Sequence, residues 1–126
     1  MAQTMMEHFL QTQKDELSIE DRDKDTIVMA GLCNDLGQGI FSHLFDRQLI
    51  PMLAPTLKWD YKDASIMMLK HMVDQNSIDF FDTDELKKVC EIIKGSGELI
   101  PQNKAWLFDI VSNKRNAIDA DKFDYI

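Results

Sequence analysis

The chain has few of the residues that would commit it to a secreted or membrane-embedded existence. It holds only two cysteines, Cys33 and Cys90. Each sits in an apolar helical pattern, where a thiol behaves as a small buried hydrophobe, so no disulfide framework is expected. No apolar run approaches the ~18 residues needed to span a bilayer, and residues 1–10 lack a charged start followed by an apolar core. An intracellular protein of nucleus or cytoplasm, without a membrane partner, is the expectation. Positive charge is also scarce, with 14 Lys and Arg against 22 Asp and Glu, a formal net charge of −8. Affinity for phosphate backbones comes mainly from clustered Lys and Arg, so duplex DNA is an improbable main partner and any basic site must be local. Strand-like alternation and internal repeats are missing too.

What remains is 126 residues with 44% apolar content, enough for one domain whose core needs neither disulfide nor metal. Five glycines and three prolines punctuate helical periodicity. Met5, Met6, Phe9 and Leu10 line one face of a first helix. Ser18 with Asp21 resembles a capping box ahead of the apolar run from Ile27 to Cys33, which Gly37 and Gly39 end. Ile40, Phe41, Leu44 and Phe45 repeat at helical spacing until Pro51 and Pro55 lead into an extended loop. Asp63 can cap a helix carrying Ile66, Leu69 and Val73. Another starts at Thr83 or Asp84, carries Leu86, Val89, Cys90 and Ile93, and stops at Gly95. Residues 95–101 are the candidate internal linker. Trp106, Leu107, Ile110 and Val111 mark a last full helix, and the run after Ser112 reads as a polar turn. The fold class is all-α.

Two polar clusters carry the chemistry. In the first, Asn34-Asp35-Leu36-Gly37-Gln38-Gly39 follows a buried helix, so polar side chains stand where a ligand could approach bare backbone, although the glycines could equally be a plain helix stop. The second, residues 112–125, combines Lys114, Arg115 and Lys122 with alternating carboxylates. Alone it would be a solvated surface turn.

Together the clusters resemble a known family. Residues 32–45 look like the HD-motif region of the HD-domain phosphohydrolases. Ile110-Val111-Ser112-Asn113-Lys114-Arg115-Asn116 and Asp119-Ala120-Asp121-Lys122-Phe123-Asp124-Tyr125 resemble the animal dNTP triphosphohydrolases that join a sterile-alpha-motif domain to an HD domain. Leu49-Ile50-Pro51, Lys58-Trp59 and Ser65-Ile66-Met67-Met68 fit the same family in the same order. The resemblance implies a compact helical HD-domain-like fragment, a single partial domain over residues 1–126.

That family's chemistry, as the resemblance implies it, holds a metal with a His, a consecutive His-Asp pair and a distant Asp, which activates water for attack on the α-phosphate. Matched residue by residue, the site is degenerate. Asn34 stands for the His of the pair, and an amide is a far weaker ligand than imidazole. Asp35 matches the Asp of the pair and Asp121 the distant Asp, a remnant metal site at most. The first His would lie upstream of residue 1, and His8 does not replace it. Gln38 stands for a catalytic His and cannot act as a general acid near neutral pH. Trp59-Asp60-Tyr61 occupies the place of a further His. His43 is retained, as are Asp119, Lys122 and Tyr125, which match nucleotide-facing positions, while the wall beyond them would lie past residue 126.

Beside these readings stand blander ones. Asp35 and Asp121 could cap helices or pair with Lys114 and Arg115; His43 could be structural; His71, Met67, Met68 and Met72 are most simply packing residues. The expectation is a catalytically inactive relative that needs no cofactor and acts by protein association, a full-length homologue being the candidate partner. The alternative is a metal-dependent triphosphohydrolase or nucleotide-binding module completed by another subunit, with weak divalent binding at Asp35 and Asp121. A weak nucleic-acid contact at Lys114, Arg115, Lys122 and Trp106 ranks third.

Overall fold

The structure, a computed structural model, describes residues 1–125 and, of Tyr125, the backbone alone. Among the described residues it is all-helical, without a strand. The α-helices are α1 (Ala2–Thr12), α2 (Asp21–Cys33), α3 (Ile50–Leu53), α4 (Tyr61–Gln75), α5 (Thr83–Lys94), α6 (Trp106–Val111) and α7 (Ala120–Tyr125). A π-helical turn, Phe45–Leu49, runs into α3, and a 3-10 turn, Gln102–Lys104, precedes α6. The chain forms two compact units: Met1–Leu32 together with the chain from Phe80 onward, and Cys33–Asp79.

The first unit is organised around α5. Its start is fixed by Asp82, whose carboxylate accepts the N–H groups of Asp84 and Glu85 at 2.9 and 2.8 Å, while Glu85 reaches back to the Asp82 N–H. This reciprocal cap satisfies donors that a helix start leaves open. Its end is fixed by Gly95 at φ 71°, a left-handed conformation that a side chain disfavours. Between them Val89, Ile92 and Ile93 are fully buried, each worth about 1.5–3 kcal/mol of burial. Met6 of α1, Ile27 and Ala30 of α2, and Leu107, Ile110 and Val111 of α6 join the same core, and α6 packs against both α5 and α7.

The second unit has a smaller core, in which Leu69, Ala64 and Ser65 of α4 are buried. Asp60 caps α4 by accepting the Lys62 N–H at 2.9 Å. Trp59 donates its indole N–H to Asp46 Oδ1 at 2.7 Å and meets Phe45 edge-on with ring centres 6.0 Å apart. The loop before α4 is thereby tied to the π-helical turn.

Several expectations are corrected. Ser18 does not cap α2: it lies outside the helix at φ 51°, and Asp23 supplies the cap by accepting the Glu20 N–H at 2.8 Å. Asp60, not Asp63, caps α4. Pro51 does not break the chain, because it sits in the first turn of α3, where its missing N–H costs nothing. Residues 95–101 belong to the first unit, where the N–H groups of Glu98 and Leu99 both bond to the Glu91 carboxylate, at 3.1 and 3.0 Å. The polar run after Ser112 ends in a further helix, α7.

Candidate functional site

The first polar cluster lies within the Cys33–Asp79 unit, where α2 ends and the chain turns toward α4. Asn34 is buried at 6% exposure, and Asp35 and Gln38 are half-buried. Gly37 is buried against the start of α4: its N–H donates to Ser65 Oγ at 2.8 Å, and the same hydroxyl lies 2.8 Å from the Asn34 carbonyl and 2.9 Å from that of Tyr61. A Cβ on Gly37 would run into Tyr61 O and Ser65 N, so this glycine is required by close backbone approach and not merely by a helix stop.

Within that turn the three candidate side chains meet. Gln38 Nε2 donates to Asp35 Oδ1 at 2.7 Å, and Asn34 Nδ2 donates to the same oxygen at 3.3 Å. Asn34 Oδ1 is buried without a hydrogen-bond partner. His43 belongs to the same unit and is exposed.

The second cluster belongs to the first unit. Asp119 is half-buried and its carboxylate accepts the Lys122 N–H at 3.2 Å, which caps α7. Asp121 and Lys122 are exposed on that helix. Tyr125 closes it, and its side chain lies outside the described residues. Arg115 pairs with Asp109 rather than with Asp121, and Lys114 reaches Ser96 Oγ at 3.5 Å. Trp106 meets Phe9 edge-on, ring centres 5.9 Å apart.

A transition-metal site of the kind the resemblance implies does not fit the first cluster. Imidazole offers an ion a nitrogen lone pair, whereas Asn34, at the place of the metal-binding His, presents an N–H donor to Asp35, as Gln38 does beside it. Among the described residues no group of three or more His, Cys, Asp or Glu side chains is arranged to hold a metal ion. Sequence reasoning passed over one strong feature of the first unit: Lys104, buried, binds Glu20 Oε1 and Asp23 Oδ2, both at 2.8 Å. Burial pushes its amine down, but the hydrogen bonds it donates to Asp23 and Glu20 outweigh this and hold it above its ordinary value. Among the described residues no helix is long and apolar enough to cross a membrane.

No protein-family model matches the chain. Individual proteins are similar to it: the putative HD domain-containing protein L394 of Acanthamoeba polyphaga mimivirus is 32% identical over 81% of this chain and 21% of its own length. More similar is deoxynucleoside triphosphate triphosphohydrolase SAMHD1 of Homo sapiens, 38% identical over 94% of this chain and 22% of its own length. Its homolog in Dictyostelium discoideum is 39% identical over 88% of this chain and 21% of its own length. The chain is a relative of the SAMHD1 deoxynucleoside triphosphate triphosphohydrolases, and it spans about a fifth of the length of the relatives it matches.

Proposed function

We propose that the chain is a non-catalytic, intracellular SAMHD1 relative that works by associating with protein, a full-length homologue being the preferred partner, and that it needs no cofactor. The observation that carries this reading is the pair of amides, Asn34 and Gln38, bonded to Asp35 where the family resemblance calls for imidazoles. An amide neither binds a transition ion as imidazole does nor transfers a proton near neutral pH. Support for association comes from the Cys33–Asp79 unit, where Ile40, Phe41, Met52 and Leu53 are each at least 73% exposed. Large apolar side chains this exposed mark interaction surfaces where they adjoin.

Two assays test the reading. Purified protein incubated with dGTP or dATP and Mn²⁺, Fe²⁺ or Mg²⁺ should release no triphosphate; metal-dependent turnover that Asp121→Ala abolishes would overturn the non-catalytic role. Mixed with a full-length SAMHD1 homologue, the chain should co-elute in size-exclusion chromatography, and separate elution at all concentrations tried would remove the proposed partner.

A further inference from the structure

We infer that Asn34 and Gln38 form an amide clamp on Asp35, which holds the turn after α2 in place without a metal ion. The inference rests on the non-catalytic reading and explains what the altered residues do instead of chemistry. Both amides reach one and the same oxygen, Asp35 Oδ1, from positions one residue before it and three after it. The Gln38 bond, at 2.7 Å, has the length of a strong bond to a charged acceptor, and the Asn34 bond, at 3.3 Å, is the longer and weaker arm. Two amide dipoles aimed at one oxygen thus supply locally the positive potential that a cation would otherwise bring.

The orientation of Asn34 is telling. Its Oδ1 is left buried and unpartnered, a state that carries the desolvation penalty of an unmet acceptor. The opposite amide orientation would set that oxygen against the Asp35 carboxylate, oxygen to oxygen. The side chain thus keeps its donor on Asp35 while its own acceptor is unpartnered.

The clamp closes a turn that is pinned at two further points. Gln38 donates its backbone N–H to the Asp35 carbonyl at 3.0 Å, and Gly37 donates to Ser65 Oγ. Gln38 therefore binds residue 35 twice, by backbone and by side chain. An imidazole at residue 34 would present a lone pair to an ion, and one at residue 38 could exchange a proton; amides at both present N–H groups to the anion. The turn is thereby built to hold a carboxylate.

The test is thermal unfolding of the whole chain in EDTA and then with Mn²⁺ or Mg²⁺ in excess, for the unmutated protein, Gln38→Glu, Asp35→Asn and the double variant. The unmutated protein should melt at one temperature in all three conditions. Gln38→Glu, which keeps the shape but sets an anion against Asp35, should lower the midpoint by roughly 3–5 °C. Adding Asp35→Asn should restore part of that loss, since the repulsion is gone, a non-additivity that reports direct contact. A midpoint raised by Mn²⁺ or Mg²⁺ in the unmutated protein but not in Asp35→Asn would overturn the clamp, because Asn34 Oδ1 and Asp35 would then be serving an ion. Additive effects of the two substitutions would overturn it as well. Should the variants fail to fold, the side-chain NH₂ resonances of the unmutated protein decide: the Gln38 pair should exchange slowly with water, and exchange as fast as that of an exposed glutamine refutes the clamp. The outcomes separate from those of the non-catalytic reading. Turnover with an ion-insensitive midpoint refutes that reading and leaves the clamp; ion stabilisation through Asp35 without turnover does the reverse.

Discussion

Ser65 Oγ accepts the N–H of Gly37 at 2.8 Å, and the same hydroxyl sits within hydrogen-bond reach of two backbone carbonyls, those of Asn34 and Tyr61. One fully buried side chain thus couples the turn after α2 to the first turn of α4. Ser65→Ala removes the acceptor for a buried N–H and a donor for a carbonyl, with little change of volume. The expected loss is about 2 kcal/mol, the usual penalty for orphaning buried backbone groups, read as a lower urea midpoint at unchanged slope. A loss below about 0.5 kcal/mol would mean that water or a shifted backbone replaces the hydroxyl.

Gly37→Ala strikes the same contact sterically. The added methyl meets Tyr61 O, Ser65 N and Ala64 Cβ, and two of these are backbone atoms that cannot rotate aside. Overpacking of this kind costs typically 1–3 kcal/mol, and here the Ser65 bond is lost as well. Urea unfolding should show a larger effect for Gly37→Ala than for Ser65→Ala, and the reverse order would count against the close approach.

How much of this was legible in the sequence depends on the range of the interaction. Helix α5 could be read almost to the residue, because its apolar spacing and the αL glycine at its end are local signals. The start of α2 is not fixed by local signals, because Ser18 and Asp23 can both cap a helix there, and only the path of the backbone selects Asp23. Helix α7 escaped notice since it is short and polar, and its buried contribution is Ala120. In the candidate site the substitutions at Asn34 and Gln38 were visible, yet their shared acceptor was not: a spacing of one and three residues around Asp35 permits contact without requiring it. The Lys104 pairs with Glu20 and Asp23 join residues 84 and 81 positions apart. Nothing in a single sequence marks such a pair.

The cap of α5 offers a contained energetic test. Asp82 accepts two backbone N–H groups, and Glu85 returns one bond to the Asp82 N–H. Asp82→Ala should lower stability by about 1 kcal/mol, and Asp82→Ser, which keeps a side-chain acceptor, by much less. Because Asp82 is exposed, equal losses for Ala and Ser would show that the charge of Asp82 at the helix N-terminus, rather than its hydrogen bonds, is the stabilising feature.

The Lys104 cluster predicts how stability follows pH. The Lys104 side chain is 11% exposed and that of Asp23 17%, while Glu20 is 75% exposed. With the amine held above its ordinary value by its partners despite burial, its stabilising contribution is complete below the unfolded value of about 10.4 and is lost as pH rises through the higher folded value. Glu20 runs the other way: the hydrogen bond from Lys104 and its charge hold the carboxyl below its usual range. Its contribution is present above about pH 4.3 and is lost as pH falls through the lower folded value. Stability from this cluster should therefore be level from about pH 5 to about pH 10 and decline on both sides. Lys104→Met should cost about 2 kcal/mol on the plateau, since Asp23 keeps its burial but loses its cation, and should remove the decline that Lys104 contributes at the alkaline end. Urea unfolding of both proteins across that range decides it. Two profiles that run parallel at every pH would show that Lys104 contributes by packing its aliphatic stem alone.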